Sequence, residues 1–166
     1  MGAASELEGI DVVGPVRAEI FLVWLDRHQI AITGPDGARP WVVQLEDAEH
    51  PVATVERIIG GVVGPALLVH STSWRRDGAA VILTFLAVLA PEQVADMESE
   101  LIERAELARS EASRAPEAIA GTQVLEHALR HLAWLAQDDP VVGEILSPAW
   151  RAALVDYVPE PFRSFA

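Results

Sequence analysis

Residues 66–74 read ALLVHSTSW, residues 75–78 read RRDG and residues 79–90 read AAVILTFLAVLA. Two β-rich runs on either side of Asp77-Gly78 predict a hairpin, because a tight two-residue turn needs positive φ and Asp-Gly supplies it at low cost. The second run is apolar at almost every position, which predicts a central strand covered on both faces. With Asp77 and Gly78 as the turn, Trp74 faces Val81, Thr72 faces Leu83, His70 faces Phe85 and Leu68 faces Ala87. Val69, Ser71 and Ser73 then line the other face, opposite Leu86, Thr84 and Ile82.

Working upstream, residues 17–25 (RAEIFLVWL) predict a strand, with a polar corner at 26–28 and a return strand at 29–33. GPDGARP at 34–40 is a loop, and WVVQL at 41–45 a third strand. Pro51 suits the first position of a helix, and Val52, Val55, Ile58, Ile59 and Val62 follow at helical spacing. Gly60-Gly61 predicts the end of that helix, before a Gly64-Pro65 corner.

Downstream, Pro91 opens an acidic segment to residue 115, with Val94, Met97, Leu101, Ile102 and Ala105 at helical spacing. Thr122 is placed to cap a firmer helix whose apolar face carries Leu125, Ala128, Leu129, Leu132, Leu135 and Ala136. Pro140 stops it, and a helical turn at 141–146 leads to Ser147-Pro148 and a last helix ending near Tyr157. Tyr157, Phe162 and Phe165 are expected to pack back on the body. The expected organisation is a loose leader over 1–14 and a single α+β domain over 15–166. That domain is a mixed β-sheet flanked by helices, with a C-terminal helical segment at about 122–158.

Composition narrows the chemistry. The chain has 166 residues, is 51% hydrophobic and contains no cysteine, which removes disulfides and thiolate chemistry. All 12 basic side chains are arginine, so Schiff-base and phosphate-loop lysines are absent. A net charge of −13 predicts no nucleic-acid partner. The N-terminus lacks the basic and apolar regions of a secretory signal, and the run at 79–90 is too short to span a bilayer, so a cytoplasmic protein with no membrane partner is expected.

With this element order, residues 43–65 resemble the signature box of the Nudix superfamily. That box reads Gly, five residues, Glu, seven residues, Arg-Glu, apolar, any, Glu-Glu, any, Gly, apolar. Glu49 matches its first Glu, Arg57 its Arg, Ile59 an apolar position and Gly64 its last Gly. The departures are Val43 at the opening Gly, Ile58 at the first metal-side Glu, Gly61 and Val62 at the Glu-Glu pair, and Pro65 at the end. The resemblance implies a Nudix-like fold. It also implies a helix stripped of the carboxylates that hold divalent cations in the family.

The expected function is therefore a Nudix-like domain that has lost metal-dependent pyrophosphohydrolase activity. It would bind a small-molecule ligand or a protein, as a homodimer through its C-terminal helices, with no cofactor and no metal site. The alternative is an active hydrolase of a nucleoside diphosphate derivative, using an acid displaced from the loop at Glu46, Asp47 or Glu49. Glu49 and Arg57 are the candidate catalytic residues. His70, Ser71, Thr72 and Ser73, the most polar strand centre in the chain, are the candidate ligand-binding residues. His127 and His131 have the spacing of a two-His metal site, but Ala128 follows where HExxH needs Glu, and a polar or interface face is the expected role.

Overall fold

The computed structural model describes residues 14–35, 39–46, 49–107 and 119–158. The sheet is organised around β1 (Val16–Asp26), whose run from Ala18 to Val23 is buried throughout. β1 pairs in parallel with β5 (Ala80–Val88) over Val16–Val23. Its other edge is shared by two antiparallel partners, β3 (Trp41–Gln44) along its first half and β2 (Gln29–Thr33) along its second. β4 (Leu68–Asp77) flanks β5, and β6 (Ser99–Leu101) flanks β2. The result is a six-stranded mixed sheet in the order β4-β5-β1-β2-β6, with β3 beside β1.

Strand alternation gives this sheet two apolar faces. Ala18, Ile20 and Leu22 with Phe85 and Ala87 face α1 (Pro51–Val63), which contributes Val55 and Ile59. Phe21, Val23 and Leu25 with Leu86 and Val88 face α2 (Gly121–Asp138), which contributes Leu125, Ala128, Leu129 and Leu132. α3 (Pro140–Ile145) and α4 (Pro148–Ala153) close that side with Val142, Leu146 and Trp150. Removing each such large aliphatic or aromatic side chain from water stabilises the fold by about 2 kcal/mol. The expected α+β architecture and the doubly covered position of β5 are both observed.

The hairpin differs in register. Asp77 pairs with Ala80, so Gly78 and Ala79 form the turn. Gly78, at φ 57°, is positive while Ala79 is not, which meets the demand of a II′ turn rather than of the I′ turn that Asp-Gly predicts. A bulge between Ser71 and Ser73 adds one unpaired residue, Thr72. His70 therefore opposes Leu86, Ser71 opposes Phe85, Ser73 opposes Thr84 and Trp74 opposes Leu83. His70, Ser73 and Arg75 share the α2 face; Ser71 and Trp74 lie on the α1 face.

Other elements depart from expectation for identifiable reasons. α1 runs through Gly60 and Gly61 to Val63, because both glycines sit on its exposed side and packing of Val55 and Ile59 holds the helix. It ends at Gly64, φ 86°. There the Gln93 side chain donates to the Val63 and Pro65 carbonyls, each at 3.0 Å, and accepts from the Ala90 N–H at 2.8 Å. The acidic segment is not a helix over its described part. It makes a 3-10 turn at Pro91–Gln93 and then β6, since β2 offers an unpaired edge and the Thr33 hydroxyl donates to the Glu98 carbonyl at 2.6 Å. Residues 108–118 lie outside the described residues.

α2 begins one residue before Thr122, with Ala120 as N-cap and the Gln123 side chain accepting from the Ala120 N–H at 3.0 Å. α4 ends at Ala153, short of Tyr157, which is buried against it as expected. Phe162, Phe165 and most of the leader, residues 1–13, fall outside the described residues. Among the described residues no helix is long and apolar enough to cross a membrane.

Candidate functional site

The two candidate regions lie on opposite faces of the sheet. On the α1 face, Glu49 stands just before the helix and Arg57 two turns into it. Arg57 Nη2 donates to Glu49 Oε2 at 2.8 Å, and the Thr54 hydroxyl donates to the same oxygen at 2.7 Å. The bond from Arg57, then that from Thr54, holds the Glu49 carboxyl below the usual carboxylate range. The two polar residues matched to the box are thus bonded to each other.

The positions where the box requires carboxylates supply none. Ile58 is half-buried, and Gly61 and Val62 are exposed on the helix. Glu56 is the one acid within α1, and Glu46 is exposed in the loop before it. Among the described residues no group of three or more His, Asp or Glu side chains could hold a metal ion. Asp47 lies outside the described residues. Among the described residues, the donors at α1 do not fit a hard divalent cation, which demands several oxygen ligands.

On the α2 face, β4 and α2 meet through their histidines. His70 Nε2 and His131 Nε2 are 3.1 Å apart, with the rings stacked at 5.1 Å. Such a contact needs a proton on one nitrogen and a lone pair on the other. Burial is the largest influence on both rings and lowers both pKa values. Asp139 opposes this at His70, whereas His70 and His127 reinforce it at His131. His127 is lowered too, first by burial, with Arg130 adding to this and a hydrogen bond to the Thr72 backbone opposing it.

Farther along this face, Glu19 is 6% exposed in the middle of the sheet. Arg75 reaches it across β5 with a bidentate contact, Nη1 to Oε2 at 2.7 Å and Nη2 to Oε1 at 3.0 Å. The Thr84 hydroxyl donates to the same carboxylate at 3.3 Å. Arg75 pairs with Ile82, and this register places its side chain on the α2 face with Glu19 and Thr84. Beside the pair opens a cavity of about 200 Å³ lined by Ser73, Arg75, Gln123, Val124 and His127.

Of the predicted ligand residues, Ser73 alone lines this cavity. His70 is engaged with His131. Thr72 donates to the Thr84 carbonyl at 3.4 Å, and Ser71 is exposed on the other face. A third polar cluster holds the C-terminal helices. Glu126 is 1% exposed and accepts from Arg104 (2.8 and 3.0 Å) and from Arg130 (2.9 Å). Burial, the largest influence on Glu126, pushes its carboxyl up. The bonds from Arg104, Arg130 and the Ala105 N–H together outweigh it and hold the pKa down.

Sequence reasoning missed the partners of Glu19 and Glu126. The signal was present: each is a single carboxylate on an otherwise apolar face, and a buried charge must find a cation. Periodicity says nothing about which arginine answers it.

This arrangement was compared with known proteins. A search found no matching protein-family model and no matching curated relative. Among solved structures, Shewanella oneidensis NrtR matches with a TM-score of 0.55 at 13% identity, covering 91% of this chain and 81% of that one. The same protein complexed with a 27mer DNA matches with a TM-score of 0.52 at 13% identity, covering 90% and 78%. The fold is Nudix-like. At this identity the likeness is one of fold.

The Nudix-like neighbour also corrects one expectation. Nucleic acid was excluded as a partner on net charge, yet a protein of this fold has been solved with DNA bound. Net charge is a sum over the whole surface, whereas phosphate contacts depend on where individual arginines stand. The exclusion therefore does not hold.

Proposed function

We propose that this chain is a Nudix-like binding module that has lost metal-dependent pyrophosphohydrolase chemistry. One observation carries the reading: the matched Glu49 and Arg57 satisfy each other at 2.8 Å, while Ile58, Gly61 and Val62 stand where metal carboxylates belong. A carboxylate already accepting two hydrogen bonds, one of them from an arginine, is a poor ligand for a cation.

Ligand contact is centred on the groove between β4 and α2. Ser73, Gln123 and His127 offer hydroxyl, amide and imidazole groups to the cavity, over a floor stiffened by the Glu19–Arg75 pair. The His70–His131 contact closes the groove at one end. A second copy of the chain would dock on α2 and α3, where Trp134, Val141 and Ile145 expose apolar surface.

The test is incubation with Mg²⁺ or Mn²⁺ and a panel of nucleoside diphosphate derivatives. No metal-dependent turnover is expected. Turnover that disappears in a Glu49→Gln variant would establish the hydrolase alternative instead. DNA association, measured on the same preparation, would extend the binding role without restoring hydrolysis.

A further inference from the structure

We propose that the cavity at the carboxyl ends of β1 and β5 is a binding site for a small aromatic monoacid. The two strands run parallel as far as Val23 and Val88, β1 continues to Asp26, and the β1–β2 corner, the α1–β4 connection and α4 converge there. The space they enclose is about 510 Å³, within the range of small-molecule sites. Trp24 and Trp150 stand in its walls with Leu67, Leu89 and Ile145. Two indoles in an apolar cleft favour a flat, polarizable ligand.

The polar groups at its rim are free to act. Arg27, in the β1–β2 corner, has φ 59° and is the non-glycine residue with positive φ among the described residues. Glycine takes that conformation more readily, so the side chain is retained against local preference. Arg57, Arg75, Arg104 and Arg130 are all paired. The Arg27 guanidinium makes no hydrogen bond or ion pair among the described residues. Ser147 stands at the N-cap position of α4 yet makes no side-chain cap bond, which leaves its hydroxyl available. The Trp24 indole N–H, by contrast, is buried behind the wall and has no acceptor among the described residues.

Charge selects the ligand class. Arg27 attracts one carboxylate, whereas Asp26 and Glu92 on the same rim repel a second negative charge. A monoacid fits this rim, and a pyrophosphate does not. The site is separate from the β4–α2 groove and does not depend on the loss of hydrolysis.

The experiment is an NMR titration of the full chain, following its indole N–H resonances; the Trp24 signal is identified by its loss in Trp24→Phe. The probes are 2-naphthoate, 2-naphthylmethylamine and inorganic pyrophosphate. Naphthoate should move the Trp24 resonance saturably, while the amine and pyrophosphate leave it in place. Arg27→Gly should keep or raise the thermal midpoint, since glycine suits the backbone, yet weaken naphthoate about tenfold, the scale of one lost charge-assisted contact. Arg27→Gln should weaken it similarly. Absence of a saturable naphthoate shift, equal binding of the amine or pyrophosphate, or unchanged affinity in both Arg27 variants would overturn the proposal.

Discussion

Arg57 Nη2 donates to Glu49 Oε2 at 2.8 Å across two turns of α1, so the two polar residues matched to the superfamily's box form a closed pair. The pair is exposed, which makes it a matter of local charge rather than of stability. Replacing Arg57 with Ala should raise the Glu49 carboxyl pKa toward its ordinary value, read by NMR titration. Because this pKa is depressed in the fold, what the pair adds to stability is present above the unfolded value and lost as pH falls through the folded one.

The His70–His131 contact predicts a second pH dependence of the same sign, set at the histidine rather than the carboxylate range. Both pKa values are lowered, so the unfolded chain takes up protons first as pH falls. Stability should therefore be full above about 6.5, the ordinary histidine value, and decline on acidification toward the lower folded values. His127 on α2, with its own lowered pKa, adds to the decline, while Asp139 at the end of α2 opposes it at His70. Urea unfolding between neutral and mildly acidic pH should show this slope, and a His70→Leu, His131→Leu double variant should flatten most of it.

Glu126 anchors the C-terminal helices. Replacing it with Gln leaves the Arg104 and Arg130 guanidinium groups facing a neutral amide in a buried site, at a cost of about 3 kcal/mol. Arg104 also lies 4.1 Å over the Tyr157 ring and donates to the Asp156 carbonyl, so the loss should loosen the chain after α4. Chemical denaturation gives the energy, and amide exchange at residues 154–158 gives the location.

Gln93 makes three hydrogen bonds that fix the end of α1 to the strand–turn connection after β5. Gln93→Ala should destabilise the fold by about 2 kcal/mol, as two carbonyls and one N–H lose their partner. Faster amide exchange in the last turn of α1, with the β1–β5 pair unaffected, would mark the effect as local.

These contacts show how far the sequence could be read. The strands β1, β2, β3 and β5 and the helices α1 and α2 carry patterns of burial that follow directly from side-chain period, and those elements stand where the pattern puts them. The hairpin register was not legible, because II′ and I′ turns both accept Gly78 and because nothing in STS at 71–73 announces a bulge. That one unpaired residue moves His70 to the α2 face and Ser71 to the α1 face, and so decides which polar groups meet. The segment after Pro91 has apolar residues at helical spacing, but the open edge of β2 outweighs that weak preference. At the site, the missing box carboxylates were visible in the residues themselves. The pairings of Glu19 with Arg75 and of His70 with His131 were not, since each joins residues more than 50 positions apart.

The central claim is that α1 no longer holds a divalent cation. Titration with Mn²⁺, followed by paramagnetic broadening of amide resonances over residues 49–64, addresses it without any assumption about substrate. No selective, saturable broadening along α1 is expected. Broadening concentrated at Glu49, Glu56 and the loop before the helix, and removed by Glu49→Gln, would contradict it.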